Sequence, residues 1–479
     1  MTSIDEKVPA LSFKSFGFAY PVSDGSFARV LQNADFEVER GAFLVITGNT
    51  GSGKTTLLRC CNRALNPVGQ YSGEILLFGK NVREYKAAEA VETLGSVCQD
   101  PDNQLICESV LSQLAFPLEN LGRPVEAMRQ SIAEVCHFFG LESILHKKTN
   151  DLSGGQKQLV NLASALVLSP RVLLLDEPTS QLDYVSAQNF LHALFRINRE
   201  LGITVVVATH SPKPMMAYAT SFARMENGAL VPSSYEETLA ACDVDTDVFA
   251  RRKHDDGKPV LTFENLSFSY EKGPHFVLHG LDLKVEQNTI HAIAGSNGCG
   301  KTTLLSLGAS IVKPQIGKVT NLLSSRQGFL PQDPKALFVC DTIADELKEW
   351  QKGCGYTNGD IENVFGELFA GREIRLSMHP YDLSRGEQQL LAFAKISLTK
   401  PEILFLDEPS KGLDPVCFAK LAEAILSLNA QGCTIVMATH DMRLIKAVAD
   451  KVTLLFDGRA ISTQTPDEYM KGSFLRVFE

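Results

Sequence analysis

The chain has 479 residues, 44% of them hydrophobic and 21% charged, with a formal net charge of −10. That balance excludes a disordered or fibrous chain, and the length suits two to three domains, each with its own core. An acidic chain has no general attraction for nucleic acid or anionic lipid. No apolar run approaches the ~18 residues of a membrane span, and stretches such as ITVVVA are strand-sized. Eleven cysteines lack a CxxC pair, and Cys60 and Cys61 are adjacent, which suits neither a disulfide framework nor a zinc site. With an opening, MTSIDEKVPA, that is neither basic nor apolar, they point to the reducing cytosol.

In chain order, the first chemistry-bearing segment is FGFAYP, which places Tyr20 ahead of a glycine-rich loop by 28 residues. Position alone admits an adenine-stacking ring or, more commonly, a core aromatic. AFLVIT (42–47) reads as a buried strand and KTTLLRCCNRAL (54–65) as a helix. Between them, Gly48, Asn49, Thr50, Gly51, Ser52 and Gly53 lead into Lys54, Thr55 and Thr56, the GxxxxGKT pattern of a phosphate-binding loop. Glycines let backbone N–H groups approach phosphates, and the helix N-terminus adds positive potential. Lys54 would reach the β- and γ-phosphates, and Thr55 would offer its hydroxyl to Mg²⁺.

LSGGQKQLVNLASALVLSP (152–170) follows, with Ser153 as N-cap, apolar Leu159, Leu162, Ala163 and Leu166 on one helical face, and Pro170 as stop. It reads equally as a capped helix or as a second anion-binding helix N-terminus. RVLLLDEP (171–178) is an apolar strand ending in a carboxylate pair. Asp176 is placed to hold Mg²⁺ through water, and Glu177 to polarise an attacking water. ITVVVATH closes on His210, at what should be the carboxyl edge of a parallel sheet.

The second half repeats this order. GNTGSGKTTLL recurs at 295–305 (offset 247), CQDP as PQDP at 331–334 (offset 233), LLLDEPTSQLD at 404–414 (offset 231) and VVATH at 436–440 (offset 230). Two copies of one domain follow, the second lacking about 14 residues opposite LLFGKNVREYKAAEA, which reads as surface strand and loop. The loop is now Gly295, Ser296, Asn297, Gly298, Cys299 and Gly300 before Lys301, Thr302 and Thr303; Asp407, Glu408 and His440 complete the set, and Tyr270 stands 25 residues upstream. Cys299, beside Lys301 at a helix N-terminus, is expected to favour its thiolate and react readily. We assign 1–241 and 259–479 to the two domains. Residues 242–258, polar and aperiodic, form a linker that spans at most ~60 Å and lets the copies pack face to face.

With every motif present twice, the whole chain resembles two ABC ATPase domains in tandem. The resemblance implies an α/β fold: two P-loop ABC ATPase domains, each with a mixed or parallel sheet core and a helical subdomain. It makes Tyr20 and Tyr270 adenine-stacking rings and the GKTT loops Walker A. Gln99 and Gln332 become the glutamines that sense Mg²⁺ and face a membrane partner. Ser153, Gly154, Gly155 and Gln156 become the signature, Glu177 and Glu408 the catalytic carboxylates, and His210 and His440 the switch histidines. ATP and Mg²⁺ are the implied cofactors, each nucleotide lying between one domain's Walker A and the other's signature in a head-to-tail sandwich.

QDPDNQL is further similar to the energy-coupling factor ATPases that import cobalt and vitamins, and the two-domain layout to their fused form. That implies a peripheral protein on the cytoplasmic membrane face, partnered by a transmembrane coupling protein and a substrate-binding membrane subunit, without nucleic-acid binding or lipid insertion. The alternative is a soluble tandem ABC protein acting on ribosomes or nucleic acid. No regulatory domain is expected after the second copy. The second signature departs from the pattern: LSRGEQ keeps Ser384 and Gly386 but has Arg385 and Glu387, and its D-loop carries Lys411 and Gly412. These departures predict unequal nucleotide sites.

Overall fold

Phe43–Thr47 and Ile290–Ala294, the runs ahead of the two glycine-rich loops, are buried at every position, as strands covered on both faces must be. They are the central strands of two separate sheets in a computed structural model that describes residues 8–22, 25–241, 249, 257–270, 276–372 and 374–472. The chain divides into two units, Met1–Asp243 and Val244–Glu479. The expected linker, 242–258, lies outside the described residues except for 249, 257 and 258.

The first unit contains β1 (Leu11–Pro21), β2 (Phe27–Val38), β3 (Phe43–Thr47), β4 (Gln70–Leu77), β5 (Lys80–Asn81), β6 (Leu94–Val97), β7 (Val172–Asp176), β8 (Thr204–Ala208), β9 (Ser221–Glu226) and β10 (Ala229–Ser233). Its helices are α1 (Lys54–Cys61), α2 (Ala87–Thr93), α3 (Val110–Asn120), α4 (Val125–Phe139), α5 (Gly154–Leu166), α6 (Tyr184–Leu201) and α7 (Tyr235–Ala240). A small antiparallel sheet runs β2-β1-β4-β5, and a six-stranded sheet runs β10-β9-β3-β8-β7-β6. Only the β9–β10 pair of the larger sheet is antiparallel.

Period-two alternation sorts the core. Leu44, Ile46, Leu174 and Val206 face α1 and the small sheet, whereas Val45, Leu173, Leu175 and Val207 face Phe190, Leu191 and Leu194 of α6. A third cluster joins α3, α4 and α5 through Val110, Leu114, Ile132, Val135 and Val160, and forms the helical part. Each such buried side chain contributes about 1.5–3 kcal/mol relative to exposure.

The second unit contains β11 (Pro259–Phe268), β12 (Leu278–Glu286), β13 (Ile290–Ala294), β14 (Ile316–Asn321), β15 (Gln327–Leu330), β16 (Ile403–Asp407), β17 (Thr434–Ala438), β18 (Lys451–Phe456) and β19 (Arg459–Gln464). With them are α8 (Lys301–Gly308), α9 (Ile343–Lys348), α10 (Gln351–Cys354), α11 (Asn358–Phe369), α12 (Arg385–Ser397), α13 (Pro415–Ala430), α14 (Met442–Val448) and α15 (Pro466–Gly472). Its sheet order, β15-β16-β17-β13-β18-β19, matches that of the first unit strand for strand. The fold is α/β in both halves, a mixed sheet with helices.

Two expectations need correction. The predicted helix 54–65 stops at Cys61, because Asn62 turns its side chain back to accept from Ala64 N and starts a separate 3-10 turn. The segment missing from the second copy is not merely surface strand and loop. It carries β5, a turn and α2, and it buries Val82 and Tyr85, whose hydroxyl donates to Leu77 O at 2.6 Å. Its polar neighbours hide those two anchors in the sequence.

His291 sits on β13 where the first unit has Leu44, fully buried, with Nε2 2.7 Å from Thr453 Oγ1 and Nδ1 without a partner. Burial, helped by the Lys451 charge, pushes its pKa from 6.5 down to about 4. The unfolded chain therefore takes up a proton below pH 6.5 that the folded chain refuses, so stability is complete above 6.5 and is lost progressively down to pH 4. The loss reaches about 3 kcal/mol. In pH-dependent thermal unfolding, His291→Leu should flatten that slope; an unchanged slope would assign it to other groups.

Candidate active site

Both glycine-rich loops close on the N-terminus of a helix, α1 or α8. Gly53 and Gly300, at φ 102° and 105°, are the N-caps. A Cβ there would stand 2.9 Å from Leu31 Cδ2 or 2.7 Å from Leu278 Cδ2, so both conformation and space demand glycine. Gly48 and Gly51 also have positive φ, as does Gly298, while a Cβ on Gly295 would lie 2.4 Å from Leu455 O. Lys54 Nζ bonds the carbonyls of Gly48 (2.6 Å) and Asn49 (3.1 Å), and Lys301 Nζ those of Gly295 (2.8 Å) and Ser296 (3.1 Å). Each ammonium is thereby held across its loop, which Thr50, Ser52 and Asn297 complete.

The expected tyrosines reach the same helices. The Tyr20 hydroxyl lies 3.3 Å from Thr56 Oγ1 and that of Tyr270 3.1 Å from Thr303 Oγ1. Each ring meets a phenylalanine edge to face, Phe18 at 4.7 Å and Phe268 at 5.0 Å. Tyr270 is 64% exposed and so is no core residue, while Tyr20 packs partly against the core.

Cys299 corrects an expectation. The thiol is buried, and burial raises its pKa despite the offsetting charge of Lys301. The thiolate is disfavoured, so a thiol reagent at neutral pH should modify exposed Cys354 before Cys299. Mass-mapped labelling that finds Cys299 first would restore the earlier expectation. All ten cysteines among the described residues are free.

Across the sheet edge from each loop stand the carboxylates. Asp176 ends β7 and accepts a hydrogen bond from the Thr55 side chain; burial pushes it up to about 6. Asp407 ends β16 and accepts from Thr302 Oγ1 at 2.8 Å, and burial raises it too. In both, Oδ1 is buried without a partner. Glu177 and Glu408 follow with φ 46° and 47°, a left-handed conformation rare for a residue with a Cβ. Their N–H groups bond Ala208 O and Ala438 O, each at 2.8 Å.

The next strand then delivers the histidines. His210 Nδ1 is 2.8 Å from Glu177 Oε1, and its N–H bonds the same oxygen at 2.9 Å. His440 Nδ1 lies 3.0 Å from Glu408, which also stands 3.3 Å from Lys301 Nζ. Burial pushes Glu408 up, but the His440 hydrogen bond and the His440 and Lys301 charges outweigh it and hold it below its ordinary value. The sequence reading missed Thr209, whose hydroxyl donates to Glu177 Oε2 at 3.1 Å; its signal was the repeated ATH block, read there only for its histidine.

Gln99 and Gln332 stand two residues beyond β6 and β15, whose last residues pair with Leu175 and Leu406, so both occupy the edge that carries Asp176 and Asp407. Ser153 caps α5, and Gln156 returns the bond to the Ser153 N–H; a Cβ on Gly155 would meet Ser186 Oγ at 2.6 Å. Gly154 is open on that side. Ser384 caps α12 likewise, but its partner Glu387 pairs with Arg372 at 2.8 Å, and Arg372 lies 3.6 Å from buried Asp414. A Cβ on Gly386 would touch Cys417 Sγ at 3.0 Å. Arg385 leans over Gly412, where a Cβ would come within 3.3 Å of its Cδ. The two departures are neighbours: Gly412 holds a left-handed φ of 75°, which favours glycine there in any case, and its lack of a side chain leaves room for Arg385. Lys411 beside them is lowered by burial, with the Glu408 charge opposing and the Arg385 charge adding to it.

A family model described as ABC transporter matches residues 31–180 and 278–411, more than half of the chain. The chain belongs to the ABC transporter ATPases. It is a tandem ABC ATPase, and such domains bind ATP with Mg²⁺ and hydrolyse it. Over 93% of its length it is 35% identical to a Bacillus thuringiensis subsp. konkukian protein named "Putative ABC transporter ATP-binding protein", of which it covers 90%. It is 30% identical, over 95% of its length and 91% of the relative, to a Bacillus subtilis protein named "Putative HMP/thiamine import ATP-binding protein". The archaeal ribosome recycling factor aABCE1 superposes with a TM-score of 0.67 over 100% of this chain and 93% of that one, at 20% identity, which is a likeness of fold alone.

Mg²⁺ fits the residues present. At each ABC site a threonine hydroxyl and an aspartate with one buried, orphaned oxygen stand side by side at a helix N-terminus, a set of hard oxygen donors. Among the described residues no helix is long and apolar enough to cross a membrane.

Proposed function

We propose that this tandem ABC ATPase energises an energy-coupling factor-type importer of a vitamin, metal ion or similar micronutrient, from the cytoplasmic face of the membrane. The observation that carries this reading is the near full-length similarity to a relative named for HMP/thiamine import, together with QDPDNQL after β6. In this reading Lys54 and Lys301 bind the β- and γ-phosphates, with the loop residues 48–53 and 295–300 and Thr56 and Thr303 around them. Tyr20 and Tyr270 stack on adenine. Thr55 with Asp176, and Thr302 with Asp407, hold Mg²⁺, which neutralises phosphate charge; Gln99 and Gln332 join them. Glu177 and Glu408 orient and deprotonate the attacking water, and His210 and His440 fix those carboxylates.

The signature residues Ser153 to Gln156, and Ser384 with Gly386, complete the nucleotide site of the opposite domain in a head-to-tail sandwich. Its closing and reopening pass through the Gln99 and Gln332 segments to a transmembrane coupling protein that works with a substrate-binding subunit. The complete Walker A, DEP and histidine sets of both copies support two working sites. Association with the membrane then rests on protein contacts, since the chain is acidic. Expressed alone, the protein should stay in the supernatant, and co-expression with its coupling protein should carry it into the membrane pellet. Stable binding to protein-free anionic liposomes, or sedimentation with ribosomes instead, would overturn the proposal.

A further inference from the structure

Between β15 and α9 the second unit passes Gln332, a turn at Pro334–Leu337, and Val339 and Cys340. Glu346 of α9, fully buried, folds this segment back: its Oε1 accepts the N–H groups of Val339 and Cys340, each at 2.5 Å. Its other oxygen pairs with Lys395 of α12, also fully buried. The Lys395 ammonium further bonds Leu337 O at 2.8 Å and Glu349 at 2.5 Å, and stands 4.7 Å from the centre of the Trp350 ring. Cys340, Glu346 and Glu349 are spaced as metal ligands, but the ammonium already supplies the cation between the carboxylates.

The first unit builds the same corner without charge. Gln113 stands at the position of Glu346 and Ser164 at that of Lys395, at offsets of 233 and 231, those of the flanking motifs. Gln113 Oε1 accepts from Ile106 N (3.0 Å) and Cys107 N (3.1 Å), which is the same closure. The helix link there is a single hydroxyl bond, Ser164 Oγ to Gln113 O at 3.2 Å. Loop closure is thus common to both copies. The first unit ties its Gln99 segment to α5 elsewhere, through Lys157 to Asp102 at 2.6 Å and Asn161 Nδ2 to Pro101 O at 3.0 Å. In the second unit Gln388 and Ala392 stand at those positions, and the fully buried tie runs through Lys395.

We propose that Lys395 is a positioning residue that makes the Gln332 segment and the signature helix α12 move as one body in the second domain. This rests on the reading that Ser384 contacts nucleotide. A buried ammonium with three fixed acceptors resists sliding, because displacement leaves charges unpaired in a medium that solvates them poorly.

The test uses the full chain and Glu346→Gln/Lys395→Ser, which installs the pair with which the first domain already folds. Hydrogen exchange is followed at 334–340 and 384–390 with and without a non-hydrolysable ATP analogue and Mg²⁺, alongside kcat, KM and ATP affinity. The wild-type segments should change protection together. In the double variant the response at 384–390 should separate from that at 334–340, and kcat should fall about tenfold with ATP affinity within about twofold. A wild-type response that survives the double substitution, with kcat unchanged, overturns the role of Lys395. Wild-type 384–390 amides that ignore the analogue overturn the Ser384 reading, and the proposal with it.

Discussion

Glu408→Gln should remove most of the ATP turnover of the full chain, whereas Glu177→Gln should leave a measurable fraction. Glutamine keeps the shape and the hydrogen bond from the following strand, so neither change threatens the fold. It removes the proposed base, for which losses of about 10²–10⁴ are usual. The inequality comes from what each site faces in the proposed sandwich. Lys301 and Glu408 meet Ser153-Gly154-Gly155-Gln156, where Gly154 leaves open space. Lys54 and Glu177 meet Ser384-Arg385-Gly386-Glu387, where the arginine leans on Gly412 and a carboxylate replaces an amide. One misaimed donor at a transition state costs ~3 kcal/mol, roughly a hundredfold. Glu408 also has Lys301 at 3.3 Å, and the His440 and Lys301 contacts hold its carboxyl below its ordinary value. Phosphate release by the two single variants decides the matter. Equal losses would mean that the sites fire only together.

The largest stability effect is expected from Lys395→Met. It leaves the Glu346 carboxylate, fully buried, beside Glu349 with no countercharge. Breaking such a pair from one side costs about 3–5 kcal/mol, a large part of the 5–15 kcal/mol that holds a typical domain together. Urea unfolding should show a second-unit transition displaced to lower denaturant, while Glu346→Gln/Lys395→Ser recovers most of the loss. A shift below about 1 kcal/mol would mean that Glu346 takes up a proton at little cost once the ammonium is gone.

The phosphate loops, the DEP strands and the closing histidines were legible because their chemistry needs fixed residues at fixed short spacing. The sheet was legible because runs such as VLLL and FLVI are apolar throughout. Pairing across long separations was not. Glu346 and Lys395 lie 49 residues apart, and in IADELKEW and AFAKIS each reads as an ordinary solvated charge. Their signal was the aligned Gln113 and Ser164, visible only when the two copies are compared position by position. Arg385 and Gly412 read as two separate lapses from the family pattern, and only the structure shows that they are neighbours. Cys299 misled because its neighbour Lys301 is visible in sequence whereas its burial is not, and burial is the larger effect.

Glu177 and Glu408 hold a left-handed backbone immediately before a proline, a combination that costs of order 1–3 kcal/mol each. A search for thermostable variants that scores survival of heating alone would meet this strain as an opportunity. Glycine adopts φ near +46° without that strain, so wherever the relief outweighs the lost bonds to His210 and Thr209, or to His440 and Lys301, replacements would be enriched, and each would delete a proposed base. Stability selection and turnover pull in opposite directions at these two positions, and any engineering of this ATPase should fix both before the library is built.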